Sequence, residues 1–287
     1  MNDRPAMYWE SGSGEAAHCL LCPHRCRIAR GGTGICGVRE NRGGTLYAAN
    51  YGQVSSVALD PIEKKPLAMF HPGKRILSVG SYGCNLRCPH CQNHGIAWAG
   101  LGTEPRRYAS PEQIAALAVQ TVPDGNIGVA YTYNEPLVGY EFVLDCAKHV
   151  REAGLCNVLV TNGTVSPEPL DALLPLIDAM NIDIKCFTED GYRRLGGCLN
   201  TVMDTVTRSH GRCHVEVAAL VVPGENEEDV EPLAAWLASL DPGIPLHVSR
   251  FFPRGRYADR EPTPPATVRR LAEAAGRHLN YVFTGNL

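Results

Sequence analysis

The stretch "GCNLRCPHCQN" sets Cys84, Cys88 and Cys91 at the interval C-x3-C-x2-C. Thiolates are soft ligands for iron and zinc, and a cubane 4Fe-4S cluster takes one thiolate per iron. Three thiolates therefore leave one iron without a protein ligand, an open position like the one a catalytic zinc keeps for its substrate. Such a position is wasted on a simple electron carrier, so the interval points to a cluster that binds a small molecule. A second group, Cys19, Cys22, Cys26 and Cys36, follows C-x2-C-x3-C-x9-C. Four such ligands suit either a structural zinc tetrahedron or a second 4Fe-4S cluster, and spacing does not choose between them. His18 and His24 lie among these cysteines and read as bystanders. The remaining five cysteines, Cys146, Cys156, Cys186, Cys198 and Cys213, are scattered and read as small core hydrophobes.

The composition sets the context for this chemistry. With 287 residues, 44% of them hydrophobic, the chain can fill a sizeable core. Its start, "MNDRPAMYWESGSGEA", lacks the basic-then-apolar order of a secretory signal, which leads to the expectation of a cytoplasmic protein. In that reducing compartment twelve cysteines imply metal or cluster ligation rather than disulfides. No apolar run reaches the roughly 18 to 20 residues of a membrane span. A formal net charge of -3 gives no basic footprint, which argues against nucleic acid as a general partner.

Three regions follow from the patterning. Residues 1–17 are small and polar and are expected to be poorly ordered. Residues 18–73 form a Cys-rich metal- or cluster-binding segment and a connector, "DPIEKKPLAMFHPG", with too little core to fold alone. Residues 74–287 alternate short apolar runs with helical periods. The expected strands are "RILSVG", "IGVAYTY", "NVLVTN", "MNIDIK", "HVEVAALVV", "PLHVSRF" and "NYVF". Expected helices span 111–121, 138–153, 167–178, 227–240 and 267–279, with Ser110 and Ser166 as start signals before proline. Such alternation predicts parallel strands with crossover helices, an α/β sheet or barrel. Strand parity sends Ile182, Ile184, Val215, Val217, Leu246 and Val248 outward under the helices. It sends Asn181, Asp183, Lys185, His214, Glu216, His247, Ser249 and Phe251 into the lumen. A purely structural barrel fills that space with branched aliphatics, so these polar residues predict a binding cavity.

"GCNLRCPHCQN" after a strand in a βα series resembles the cluster loop of the radical S-adenosylmethionine (SAM) superfamily, with His90 where its members usually carry an aromatic residue. A closer resemblance runs from about Cys19 to Asn286 through "CLLCPHRCRIARGGTGICGVREN", "DPIEKKPLAMFHPG", "AYTYNEPLVGYEF", "VLVTNGTVSPEPL", "NIDIKCF", "VVPGENEE", "PLHVSRFFP" and "YVFTGN". Together these are similar to the radical enzymes of the AmmeMemoRadiSam system, relatives of pyruvate formate-lyase activating enzyme. The resemblance implies a partial (β/α)6 barrel that holds a 4Fe-4S cluster on Cys84, Cys88 and Cys91, with SAM on the open iron. It also implies an electron donor, reductive cleavage of SAM and hydrogen abstraction by a 5′-deoxyadenosyl radical. "YNEP" resembles a Gly-Gly-Glu-Pro turn of the activating enzymes, retaining Glu135 and Pro136 with Tyr133 and Asn134 in place of the glycines. The resemblance implies Glu135 as an acceptor for the cofactor's ammonium, with Asn134 adding a neutral acceptor, and a plain strand-closing turn is the alternative. Asn162 in "TNG" and Asp183 and Lys185 in "DIK" match strand ends that border cofactor and substrate, although a lumen ion pair accounts equally well for the last two. The lumen residue His247 joins this set. No general acid or base is required, so no catalytic side chain is assigned. The substrate is either a glycine of a partner protein, which would become a glycyl radical, or a small molecule, peptide or RNA. The competing class is a noncatalytic iron-sulfur or zinc module for electron transfer or assembly.

Overall fold

The computed structural model describes residues 4–98 and 107–287. At its centre lies a sheet of eight strands, β1 (Ser56–Pro61), β2 (Arg75–Gly80), β3 (Asn126–Thr132), β4 (Cys156–Thr161), β5 (Ala179–Asp183), β6 (His214–Val221), β7 (Leu246–Arg250) and β8 (Val282–Gly285). They stand side by side in chain order, β1 antiparallel to β2 and every later neighbour parallel. A helix follows each strand from β2 to β7, which makes six β/α units closed off by β8. This is a partial (β/α)6 barrel. Among the described residues β1 and β8 remain sheet edges, so the barrel stays open on one side.

Seven of these strands sit within two residues of the expected segments, and all but β5 end at, or up to three residues before, a Gly, Asn or Pro signal. Ser110 begins the helix Pro111–Gln120 through a reciprocal capping box with Gln113. Ser166 does not cap the helix Pro167–Leu173; its hydroxyl donates to the carbonyl of Leu20 and ties the N-terminal segment to the barrel. Two helices between β5 and β6, Glu189–Leu195 and Leu199–Ser209, were not expected. The second, "LNTVMDTVTRS", is rich in β-branched residues of low helix propensity, and it is held by burying Leu199, Val202, Thr205 and Val206.

The outward parity is as expected: Ile182, Val215, Val217, Leu246 and Val248 share the main core with residues of the surrounding helices. On the inner side Ile76, Ala130, Val158 and Ala179 form a second, smaller core with Ile62 and Leu67. The connector is thus a floor. Its Pro66 carbonyl accepts from Asn181 Nδ2, and the amides of Ala68 and Met69 donate to Glu216, so it crosses the lumen from β1 to β6.

One expected boundary changes. Residues 1–3 lie outside the described residues, but the segment after them is packed rather than loose. Trp9–Ser11 pairs with Ala17–Cys19, Ala6, Ala16 and Ala17 are buried, and Arg4 pairs with Asp145 at 2.7 Å. The small residues read as polar spacer fit closely against the barrel because they have little volume. Across residue 74 the chain is continuous in the sheet and the core: β1 belongs to the central sheet and the N-terminal segment shares the main core. A buried ion pair, Arg39 with Glu141 at 3.1 Å, fastens that segment to the helix Tyr140–Glu152. Among the described residues no helix is long and apolar enough to cross a membrane.

Candidate active site

Parallel strands align their C-terminal ends, and the register places Gly80 beside Thr132 and Thr161 beside Ile182 at one rim. At this rim a cavity of about 990 Å³ opens into the lumen. Cys84, Cys88, Cys91, Asn134, Glu135, Asn162, Asp183, Lys185 and His247 all line it, so residues up to 163 positions apart in sequence meet in one place.

The cysteine loop leaves β2 and is pinned from several sides. Asn134 Nδ2 donates to the Gly83 carbonyl at 3.0 Å while Asn134 Oδ1 accepts from the Ser81 amide at 2.9 Å. Asn134 thus holds the loop, and its expected acceptor oxygen is already engaged. Asn93 Nδ2 donates to the Tyr133 carbonyl, the Arg87 amide to Leu195, and the Arg256 amide to Pro89. Cys84 Sγ accepts from the Leu86 amide at 3.3 Å and faces Asn162 Nδ2 at 3.6 Å, contacts that favour a thiolate and tune a bound cluster. Burial pushes the thiols up, Cys84 to about 12 with further repulsion from Glu135, and Cys88 to about 11. A metal centre must therefore displace protons as it binds. Among the described residues no three His, Cys, Asp or Glu side chains converge as a single metal ion requires. A cubane spreads its thiolates over separate irons, and three thiols on one loop are a donor set that suits one.

Glu135 stands opposite that loop. Its carboxylate accepts from the Leu137 amide at 3.0 Å, Thr161 Oγ1 at 2.8 Å and the Asn162 amide at 2.8 Å. Burial is the dominant influence and raises its pKa to about 7 against the lowering effect of those donors. A carboxylate has about four acceptor positions, which leaves one for a ligand, and a cationic donor there would relieve the burial penalty. Next to it Tyr133 has φ of 73°, the left-handed region that side chains avoid. Its hydroxyl donates to Asp60 at 2.6 Å and its ring lies 4.7 Å from Lys65 Nζ, which together hold the strained residue. Lys65 in turn pairs with Asp60 at 2.8 Å.

Asp183 and Lys185 form an ion pair at 2.8 Å and also face the cavity. Burial opposes the Lys185 charge, but Asp183 and the nearby sulfurs outweigh it and raise its pKa above the ordinary lysine value. His247 bonds Glu216 through Nε2 at 2.6 Å and stacks on Phe283 at 5.2 Å. Glu216 also accepts from His214 Nε2 at 2.8 Å and from the floor amides. Sequence reading missed the connector's Lys64, Lys65 and Pro66 as cavity residues, whereas Thr161, in the "TNG" strand end, lines the cavity as that resemblance implies. The adjacent lysines flanked by prolines in "PIEKKP" were the available signal.

Cys19, Cys22, Cys26 and Cys36 line a separate, smaller void with Arg39, Asn85 and Thr164.

The model of the Radical SAM superfamily matches residues 78–237. An uncharacterized protein of Methanocaldococcus jannaschii is 41% identical over 294 residues, 99% of this chain and 85% of that protein. Pyruvate formate-lyase 1-activating enzyme of Escherichia coli K12 is 26% identical over 162 residues, 55% of this chain and 65% of that enzyme. Among solved structures, Streptococcus suis SuiB bound to S-adenosylmethionine is similar with a TM-score of 0.54 at 14% identity, covering 72% of this chain and 48% of SuiB, which speaks for the fold alone.

Proposed function

The chain belongs to the radical SAM superfamily, and from that premise we propose that it is an activating enzyme whose cluster sits on Cys84, Cys88 and Cys91 and whose substrate is a glycine of a partner protein. One observation carries this reading: three thiols and a buried carboxylate with one vacant acceptor position line the same cavity at the C-terminal rim. When bound, the cluster and SAM supply reductive carbon–sulfur cleavage and a 5′-deoxyadenosyl radical, given a one-electron donor.

The protein's own residues bind and orient. Glu135 receives the ammonium of SAM as a charge-assisted acceptor, and Thr161 and Asn162 hold that carboxylate in place. Asn162 links the two halves of the site, because its amide nitrogen faces Cys84 while its backbone donates to Glu135. The Asp183–Lys185 pair and His247 edge the rest of the cavity and orient the substrate. Holding a C–H bond beside the radical position and excluding water is what the scaffold contributes, and this needs no general base. A protein substrate is favoured over a small molecule because Phe283, Thr284 and Gly285 of β8, a sheet edge among the described residues, line the cavity, which supports entry of a loop from that side.

The test is anaerobic reconstitution followed by dithionite reduction with SAM. Formation of 5′-deoxyadenosine is expected, with loss of all product on replacing any one of Cys84, Cys88 or Cys91 by alanine. Absence of product from cluster-loaded protein would instead favour the noncatalytic iron-sulfur module. A glycyl-radical signal in a co-purified partner separates the protein-substrate version from modification of small molecules.

A further inference from the structure

The cysteine loop has a second face, turned away from the cavity, and its charge is one-sided. The stretches from Gly83 to Trp98 and from Arg250 to Tyr257 carry Arg87, Arg250, Arg254 and Arg256 and no acidic residue, in a chain of formal net charge -3. Acidic residues return only beyond them, at Asp259 and Glu261. The second stretch is seated on the first. The Arg256 amide donates to the Pro89 carbonyl at 2.7 Å, and a Cβ built on Gly255 would lie 2.6 Å from that oxygen and 3.1 Å from the Cys91 carbonyl oxygen, so a side chain there would clash.

Among the described residues none of these four guanidinium groups has a carboxylate partner, whereas Arg260, farther along, pairs with Glu225 at 2.9 Å. Arg87 directs its donors to the carbonyls of Cys84, Leu86 and Ile35. Arg250 lies 4.6 Å from the Phe252 ring and Arg256 lies 5.2 Å from the Trp98 ring. Trp98 faces His94 at 5.7 Å, and His94 Nδ1 stands 3.2 Å from the Cys91 carbonyl oxygen. A run of contacts thus leads from Cys91 through His94 and Trp98 to Arg256, which is exposed, as is Arg254. None of His94, Trp98, Arg254 and Arg256 lines the cavity, so this face stays accessible when cofactor and substrate fill it.

Unpaired positive charge fits an acidic partner, and Arg with Trp and Phe is the composition enriched at the centre of interfaces. Reductive cleavage of SAM draws one electron from outside the protein. We propose that this face docks an acidic one-electron carrier protein. The carrier is oxidised by one electron and the cluster reduced by one, with no bond made or broken. Such encounters are small and charge-steered, typically below about 1,200 Å².

This surface rests on the reading of Cys84, Cys88 and Cys91 as cluster ligands, and the experiment separates the two. Reduced plant-type ferredoxin, an acidic 2Fe-2S carrier, is mixed anaerobically with the cluster-loaded protein, and paramagnetic resonance of freeze-quenched samples follows the reduced cubane. Reduction should slow at least about tenfold in the Arg254→Glu, Arg256→Glu variant, and added salt should slow it in the wild type. The Arg75→Glu, Arg151→Glu variant makes the same change of charge at exposed positions, the start of β2 and the end of the helix Tyr140–Glu152, and should keep the wild-type rate. Dithionite, which needs no docking, should reduce all three alike. Equal slowing of both variants, or slowing of neither, overturns the proposal. A loop that dithionite cannot reduce overturns the cluster reading instead. Binding of oxidised ferredoxin, measured by isothermal titration, then decides the docking face without an electron: affinity at least about tenfold weaker in the Arg254→Glu, Arg256→Glu variant supports it, and equal affinity overturns it.

Discussion

Two glutamates face the lumen of this barrel, and their environments differ in kind. Glu135 and Glu216 are both buried, and both accept several hydrogen bonds. Burial would raise the pKa of either. At Glu216 it is outweighed by His214 and His247, with the Met69 and Ala68 amides adding to them, and the pKa falls to about 2. At Glu135 the donors are two amides and one hydroxyl, and burial wins, leaving the pKa at about 7. A carboxylate whose charge is already met belongs to the scaffold. One whose charge is only partly met is poised for a cationic ligand. Glu216 accordingly ties the connector floor to β6 and β7, and Glu135 stands beside the cysteine loop.

The largest test of this contrast is Glu216→Gln. An amide cannot accept all four bonds, and its NH2 group would oppose the floor amides, so a stability loss of about 3–5 kcal/mol is expected in denaturant titration. The pH profile checks the cause. A carboxylate with a lowered folded pKa stabilises above its unfolded value and loses that contribution as pH falls toward about 2, so the wild type should weaken between pH ~4.5 and ~2 and the variant should be flatter there. Equal stability of the two proteins would make Glu216 incidental.

Glu135→Gln should behave in the opposite sense. With a folded pKa raised to about 7, Glu135 favours folding while protonated and loses that contribution as pH rises through about 7. Above pH 8 the ligand-free variant should therefore lose less stability than Glu216→Gln does, because removal of the buried charge offsets the clash of its NH2 group with the Asn162 amide, while its affinity for SAM drops roughly 100-fold. In the wild type SAM affinity should decline up to about tenfold per unit below pH 7, because a protonated carboxyl no longer pairs with an ammonium. A pH-independent affinity, measured by anaerobic equilibrium dialysis, would remove Glu135 from the cofactor site.

The smallest effect sharpens the same point. Thr161→Val deletes one donor to Glu135 and should move the midpoint of that pH dependence upward by about half a unit to one unit, with little change in fold stability. A midpoint that stays in place would mean that the hydroxyl does not support the charge.

Much of this was legible before folding. The period-two runs between turn residues located β2 to β8, and parity placed Asn181, Glu216 and His247 inside. Three features were hidden for physical reasons. The helix Leu199–Ser209 overrides its own propensity through burial, the start of the chain packs through small residues that resemble a spacer, and the connector becomes a floor only when Glu216 is there to receive its amides. Asn134 shows the same limit at the site, since its type suggests an acceptor for a ligand and its surroundings make it a brace for the cysteine loop.

The residue types and intervals of the sequence determined the chemistry: three thiolates demand an outside ligand, four do not, and βα alternation builds a rim on which to place them. Tertiary structure alone decided the electrostatics. Glu135 and Glu216 are the same residue in sequence, and only the donors brought to each by distant strands make one charge satisfied and the other available. The spacing of the N-terminal cysteines is likewise compatible with either metal, and what folding adds is that all four line one void with Arg39 and Thr164.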